Sequence, residues 1–264
     1  MNNLYEHNDN NFRSYHGILL EDAEMSDLLK GSVFDNMIDV EVRDRLLTEL
    51  AGLLDTGFSS ENLLADIQAL ENAVPEDLRT WRIGEALTEI VLEQNFQCRF
   101  HWNELRDARN PKGNKAGADL VGFIEIEGNV LFLFGEVKTS SETAHIPPLV
   151  MTKSDGIENK LKELYSKRDK RNILISYLAS KTINLADDHQ FKIDLRKAIH
   201  TYYNSEQYQL IGVLIRDVTS DDRDVSLSYE KIKTTILEPV GLKLIALYTS
   251  IKKEEWPNII KSVS

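Results

Sequence analysis

The sequence has one cysteine, Cys98, so no intrachain disulfide can staple it, and that usage fits a reducing compartment. Cations are in the minority. The chain has 31 Lys+Arg against 43 Asp+Glu, a net charge of -12. That balance excludes a protein that coats DNA by bulk electrostatics, because phosphate affinity comes from clustered cations. A nucleic-acid function therefore needs a local basic patch or a basic partner. No apolar run approaches the ~18 residues of a membrane span, and the opening MNNLYEHNDNNFRSYHG has no signal-peptide pattern. The expectation is a cytoplasmic protein with no membrane contact. Repeats and low-complexity tracts are also missing, apart from an Asn-rich start at Asn8 to Asn11 that reads as flexible.

What is present is a chain of 264 residues, 42% of them hydrophobic, which is enough to bury a sizeable core. Val42, Leu46, Leu47, Leu50, Leu53 and Leu54 recur at helical spacing over Val40 to Asp55. Ser59 and Ser60 then stand where a second helix through Leu63, Leu64, Ile67 and Leu70 needs a cap, and Pro75 opens a third over about Glu76 to Gln94. From Gln97 the period changes to that of strands: Cys98 to Trp102, Asp119 to Ile126, and Val130 to Lys138. Glu127-Gly128-Asn129 is turn chemistry, so the last two should form an antiparallel hairpin. A charged helix is expected over about Ser154 to Arg168 and another over Lys192 to Tyr203. Tyr208 to Ile215 and Leu242 to Tyr248 read as strands, while Asn172 to Leu178 fits helix and strand equally. The order of elements predicts an α/β or α+β protein with a mixed sheet flanked by helices. It divides into a mainly helical region over 1–75 that could bind a partner, a core over 76–218, and a strand-and-helix extension over 219–264 packed on that core.

The stretch FGEVKTS, Phe134 to Ser140, places Glu136 and Lys138 two residues apart, on one face of a strand that has just run through Val130 to Phe134. An isolated E-x-K is most often a surface ion pair worth ~0.2–1 kcal/mol. The hairpin changes that reading. Asp119 lies about as far before the turn as Glu136 to Lys138 lie after it, so antiparallel pairing brings two acids and an amine to one end of the ladder. The helix before the sheet adds Glu85 and Glu89 on one stripe, with apolar residues on both sides; buried acids need partners. Carboxylates beside a lysine suit Mg²⁺-dependent hydrolysis of a phosphodiester, since the hard cation takes oxygen ligands and the ammonium can position water and offset charge on phosphate. Local cations come from Arg106, Arg109, Lys112 and Lys115 in the loop before Asp119 and from Lys153 after the motif strand, all candidate nucleic-acid contacts. Lys160 to Arg171 is a second candidate strip along DNA, or a solvated helix face. Asp217, Asp221, Asp222 and Asp224 read as a solvated acidic loop without calcium-site spacing.

Gly84-Glu85, Gly117-Ala118-Asp119 and Glu136-Val137-Lys138, in that order, resemble the PD-(D/E)xK nuclease superfamily over roughly Glu76 to Val218. The resemblance implies a restriction-endonuclease-like core. It also implies Mg²⁺, or Mn²⁺ in its place, on Asp119, Glu136 and the Val137 backbone carbonyl, with Lys138 serving the attacking water and Glu85, rather than Glu89, as helix acid and further candidate ligand. Ala118 replaces the family's proline, and no Q-x-x-x-Y element follows Lys138, which argues against the RecB-like and Cas4-like branches. The wider layout, FRSYHGILLED, WRIGEALTE, GADLVGF and GEVKTS, resembles the HamA (DUF1837) family, nuclease subunits of the Hachiman anti-phage defence system. That likeness implies DNA as substrate and a HamB-like helicase as partner. Alternatives are a catalytically weak nuclease-fold adaptor for a helicase or DNA, or a restriction enzyme or Holliday-junction resolvase of the same fold.

Overall fold

The apolar run Val130 to Phe134 lies in β5 (Asn129–Ser140), the strand on which the molecule is organised. A computed structural model describes residues 1–57, 60–72, 78–102 and 117–263. Among these, β1 (Asn2–Asn10) and β2 (Arg13–Leu20) come first, followed by α1 (Asp22–Lys30), α2 (Ser32–Met37), α3 (Val40–Asp55), α4 (Glu61–Glu71) and α5 (Thr80–Phe96). Next come β3 (Cys98–Arg99), β4 (Leu120–Ile126), β5, α6 (Pro148–Met151), α7 (Ile157–Ser166), α8 (Arg168–Lys181) and α9 (Gln190–Ser205). The described chain ends with β6 (Gln209–Arg216), α10 (Ser226–Lys233), β7 (Gly241–Thr249) and α11 (Trp256–Lys261).

The strands form one seven-stranded mixed sheet in the order β1-β2-β7-β6-β5-β4-β3. Neighbours from β2 through β7 and β6 to β5 are parallel, and the pairs at either edge are antiparallel. Parallel strands are covered on both faces, and β6 and β7 are buried at every position. One face carries the core of α1, α2, α5 and α11, including Met25, Phe34, Ile83, Leu87, Val91 and Trp256. The other is covered by α6 to α10 through residues such as Met151, Leu161, Leu174, Phe191 and Tyr229. Alternation along β5 assigns Leu131, Leu133 and Val137 to the first face, and Phe132 and Phe134 to the second. The hairpin expected between β4 and β5 is present. Ile126 pairs with Asn129, and both turn residues, Glu127 (φ 53) and Gly128 (φ 76), adopt the left-handed conformation that a two-residue turn matched to strand twist requires.

Several expectations are corrected. The Asn-rich start is not loose: β1 pairs with β2, and because its residues are almost all exposed it carries no apolar signal; its order comes from the backbone ladder. The helical part of residues 1–75 therefore begins only at Asp22. The strand expected in the C-terminal extension is β7, which lies between β2 and β6 inside the sheet. The strand begun at Cys98 stops at Arg99, where pairing with Phe123 ends. Asn172 to Leu178 is helical, within α8. The Ser60 hydroxyl does cap α4, accepting from the Leu63 amide at 3.1 Å, whereas α5 starts at Thr80 and residues 73–77 lie outside the described residues.

Lys243 of β7 points into the first core at its lower end, 7% exposed. Its Nζ donates to the Asn11 carbonyl at 2.9 Å and the Ser14 hydroxyl at 3.1 Å, and no carboxylate among the described residues pairs with it. Burial pushes its amine down to about 8. An unfolded lysine holds its proton to higher pH, so this group costs stability below about pH 8, and the cost fades as pH rises from there to 10.5. Lys243→Met is expected to stabilise the protein by about 1–3 kcal/mol at pH 7, as buried charges replaced by apolar groups do. The gain in urea unfolding should vanish at high pH.

Candidate active site

The register of β4 with β5 decides the arrangement of the acids. Leu120 pairs with Gly135, and one step further the Asp119 amide donates to the Gly135 carbonyl at 3.0 Å, so Asp119 stands across from Glu136. β4 ends there. Beyond it, the Val137 amide has no strand partner on that side and donates to Asp119 Oδ2 at 3.0 Å, which fixes the carboxylate over the open end of the ladder. The N–H and C=O of one strand residue point to the same side, so the Val137 carbonyl also faces Asp119.

Glu136 and Lys138 share the second face with Phe132 and Phe134. Lys138 Nζ is 2.5 Å from Glu136 Oε1 and 4.0 Å from Asp119 Oδ2. Glu136 is nearly closed off, at 5% side-chain exposure, while Lys138 keeps 24% and opens the cluster to solvent. Burial, and then the charge of Asp119, push the Glu136 carboxyl up to about 7 against the pull of Lys138. Burial would lower Lys138, but Glu136 and Asp119 outweigh it and hold the amine above its usual value. Two carboxylates thus share the Lys138 ammonium, and each acts on the other through its charge. That is the chemistry of a hard-cation site: oxygen donors from Asp119, Glu136 and the Val137 carbonyl fit a divalent ion that keeps waters in its other positions. Among the described residues no group of three or more His, Cys, Asp or Glu side chains gathers as a metal site.

The remaining candidates are spread more widely. Gly84 seats α5 on the opposite face, where a Cβ would stand 2.9 Å from Thr139 Oγ1 and 3.2 Å from Ile215 Cδ1. Glu85 is buried on that side of the sheet, with its Oε2 3.8 Å from Arg82 Nη1, and Glu89 accepts from Asn36 of α2 at 3.1 Å. The structure brings Asp119, Glu136 and Lys138 together and leaves Glu85 on the other face. Lys153 is exposed in the turn before α7. Arg106, Arg109, Lys112 and Lys115 lie outside the described residues.

The acidic loop after β6 is not all solvated. Asp217 accepts from Ser141 at 2.9 Å, and Asp224 is fully buried between His145, at 2.9 Å, and Tyr248, at 3.0 Å, beside Arg216. This network ties the loop after β5 to the ends of β6 and β7. Sequence reasoning missed it, because its members lie far apart in the chain and carry no shared motif. No family model, curated protein or solved structure matches the chain.

Proposed function

We propose that the chain is a Mg²⁺-dependent deoxyribonuclease with a restriction-endonuclease-like core of the PD-(D/E)xK type, and that it works as the nuclease subunit of a Hachiman-like anti-phage complex with a helicase. One observation carries the catalytic part: Asp119, Glu136 and Lys138, from two arms of a hairpin, meet on one face at the open end of a ladder. Asp119, Glu136 and the Val137 carbonyl would hold the ion. When bound, it supplies Lewis-acid polarisation of the phosphoryl oxygen and lowers the pKa of bound water. Lys138, partly exposed and held by both acids, places its ammonium where a water and a phosphate oxygen can both reach it. There it orients the nucleophile and offsets charge growing on the phosphate. A compact, rotatable ammonium suits that double contact better than a guanidinium.

The acidic net charge supports the second part, since a nuclease with a net charge of -12 gains from a partner that delivers DNA. Nicking of supercoiled plasmid that requires Mg²⁺ and stops with chelator is the expected result; nicking unchanged by Asp119→Asn would overturn the assignment. The rival reading is a nuclease-fold adaptor with weak or no catalysis, against which the cluster of Asp119, Glu136 and Lys138 counts. Thermal melting separates ion binding from cleavage. Mg²⁺ at about 100 times its Kd should add about 2.7 kcal/mol of stability, lost in Asp119→Asn. Metal stabilisation without nicking selects the adaptor.

A further inference from the structure

α7 rests on the strand next to the acids. Gly212 of β6 pairs in register with Glu136, and a Cβ on it would overlap Ile157 Cγ2 and stand 3.2 Å from Leu161 Cδ1. Only glycine allows the first turns of α7 to approach so closely. Lys160, between those two contacts, is carried to the flank of the site, where its charge acts on Glu136. Its Nζ is held 2.7 Å from Asp155 Oδ1. On the other flank Lys170 of α8 lies over Gly117, two residues before Asp119, with its Cδ 3.9 Å from where a Cβ would stand. Lys170 Nζ is 2.8 Å from Glu163 Oε1, which also holds Lys167 at 2.7 Å. The cluster is therefore flanked by two lysines, each occupied by an acid of its own chain. The Lys160 contact is cheap to exchange, since the Asp155 side chain is 78% exposed and exposed ion pairs contribute little net stability, while Glu163, at 27%, is divided between Lys170 and Lys167.

We propose that Lys160 and Lys170 are the phosphate contacts that seat a DNA strand on either side of Asp119, Glu136 and Lys138, and that Asp155 and Glu163 mask them until the strand displaces these acids. The proposal rests on the nuclease reading of that cluster. Phosphate oxygens replace carboxylate oxygens on the same two ammonium groups, so cations are present where the strand runs although the chain as a whole is acidic. The mask weakens chance binding to nucleic acid and leaves affinity to be raised by a partner or by high local DNA concentration.

Anisotropy of a fluorescein-labelled duplex of mixed sequence, with Ca²⁺ and in a Lys138→Ala background so that cleavage does not distort the isotherm, tests this directly. Removing the mask with Asp155→Asn plus Glu163→Gln should tighten binding about tenfold. Lys160→Ala plus Lys170→Ala should weaken it about tenfold and flatten the slope of log K against log salt by about 1.8, while arginine at both positions retains it. Unchanged affinity on removal of the acids, or a full salt slope without the lysines, overturns the mask. Cleavage by the chain with Lys138 intact is scored separately. No cleavage with the binding responses present removes the nuclease reading alone, and cleavage with unresponsive binding removes the mask alone.

Discussion

Lys138→Ala is expected to reduce Mg²⁺-dependent nicking by about 10²-fold to 10⁴-fold, the range for losing a group that handles a proton or charge in the transition state. The amine reaches both acids, at 2.5 Å from Glu136 and 4.0 Å from Asp119. Its removal leaves two carboxylates facing each other, and Glu136 is already pushed up to about 7 with the amine present. Glu136→Gln should be as inactive for a different reason, because it keeps the shape but removes a charged oxygen donor. The two variants part in melting. Glu136→Gln relieves a buried, repelled carboxylate and should melt no lower than the parent, whereas Lys138→Ala uncovers that repulsion. Single-turnover nicking beside a thermal melt checks both. Residual activity within a few-fold of the parent in Lys138→Ala would remove the amine from the mechanism.

The largest loss of stability is expected at Asp194 of α9. Its side chain is fully buried and accepts from Arg99 Nε at 2.7 Å and Nη2 at 3.0 Å, from His101 Nε2 at 2.7 Å, and from Gln190 at 2.9 Å. Arg99 also reaches Glu125 of β4 at 3.1 Å, so its guanidinium ties the short edge strand β3 to α9 and β4. Asp194→Ala leaves a guanidinium without its buried partner and should cost about 3–5 kcal/mol in urea unfolding. Burial alone would raise this carboxyl, but the hydrogen bonds from His101, Arg99 and Gln190 outweigh it and hold it down at about 2. The unfolded aspartate binds its proton near 3.8, so the contribution is complete above that pH and is lost as pH falls through about 2. That acid limb, roughly 2 kcal/mol, should be missing in the variant. A loss under 1 kcal/mol would mean that the edge is held by packing instead.

The sequence by itself determined the hairpin and what it brings together. Strand alternation, a Glu-Gly turn and equal arm lengths are local facts, and once β4 pairs with β5 at Leu120 and Gly135 the meeting of Asp119, Glu136 and Lys138 follows from a side-chain period of two. Tertiary structure decided the rest. β1 is ordered by hydrogen bonds its exposed residues do not announce, and β7 reaches the middle of the sheet only because parallel pairing joins residues more than two hundred positions apart. Which face each helix covers is likewise a matter of packing: α5 takes the face away from the acids and carries Glu85 with it, while a missing side chain at Gly212 lets α7 close on the strand beside them. Short-range patterns set what a segment becomes and what its immediate neighbour is. Long-range contacts depend on how two cores fill both faces of one sheet, and no local period records that.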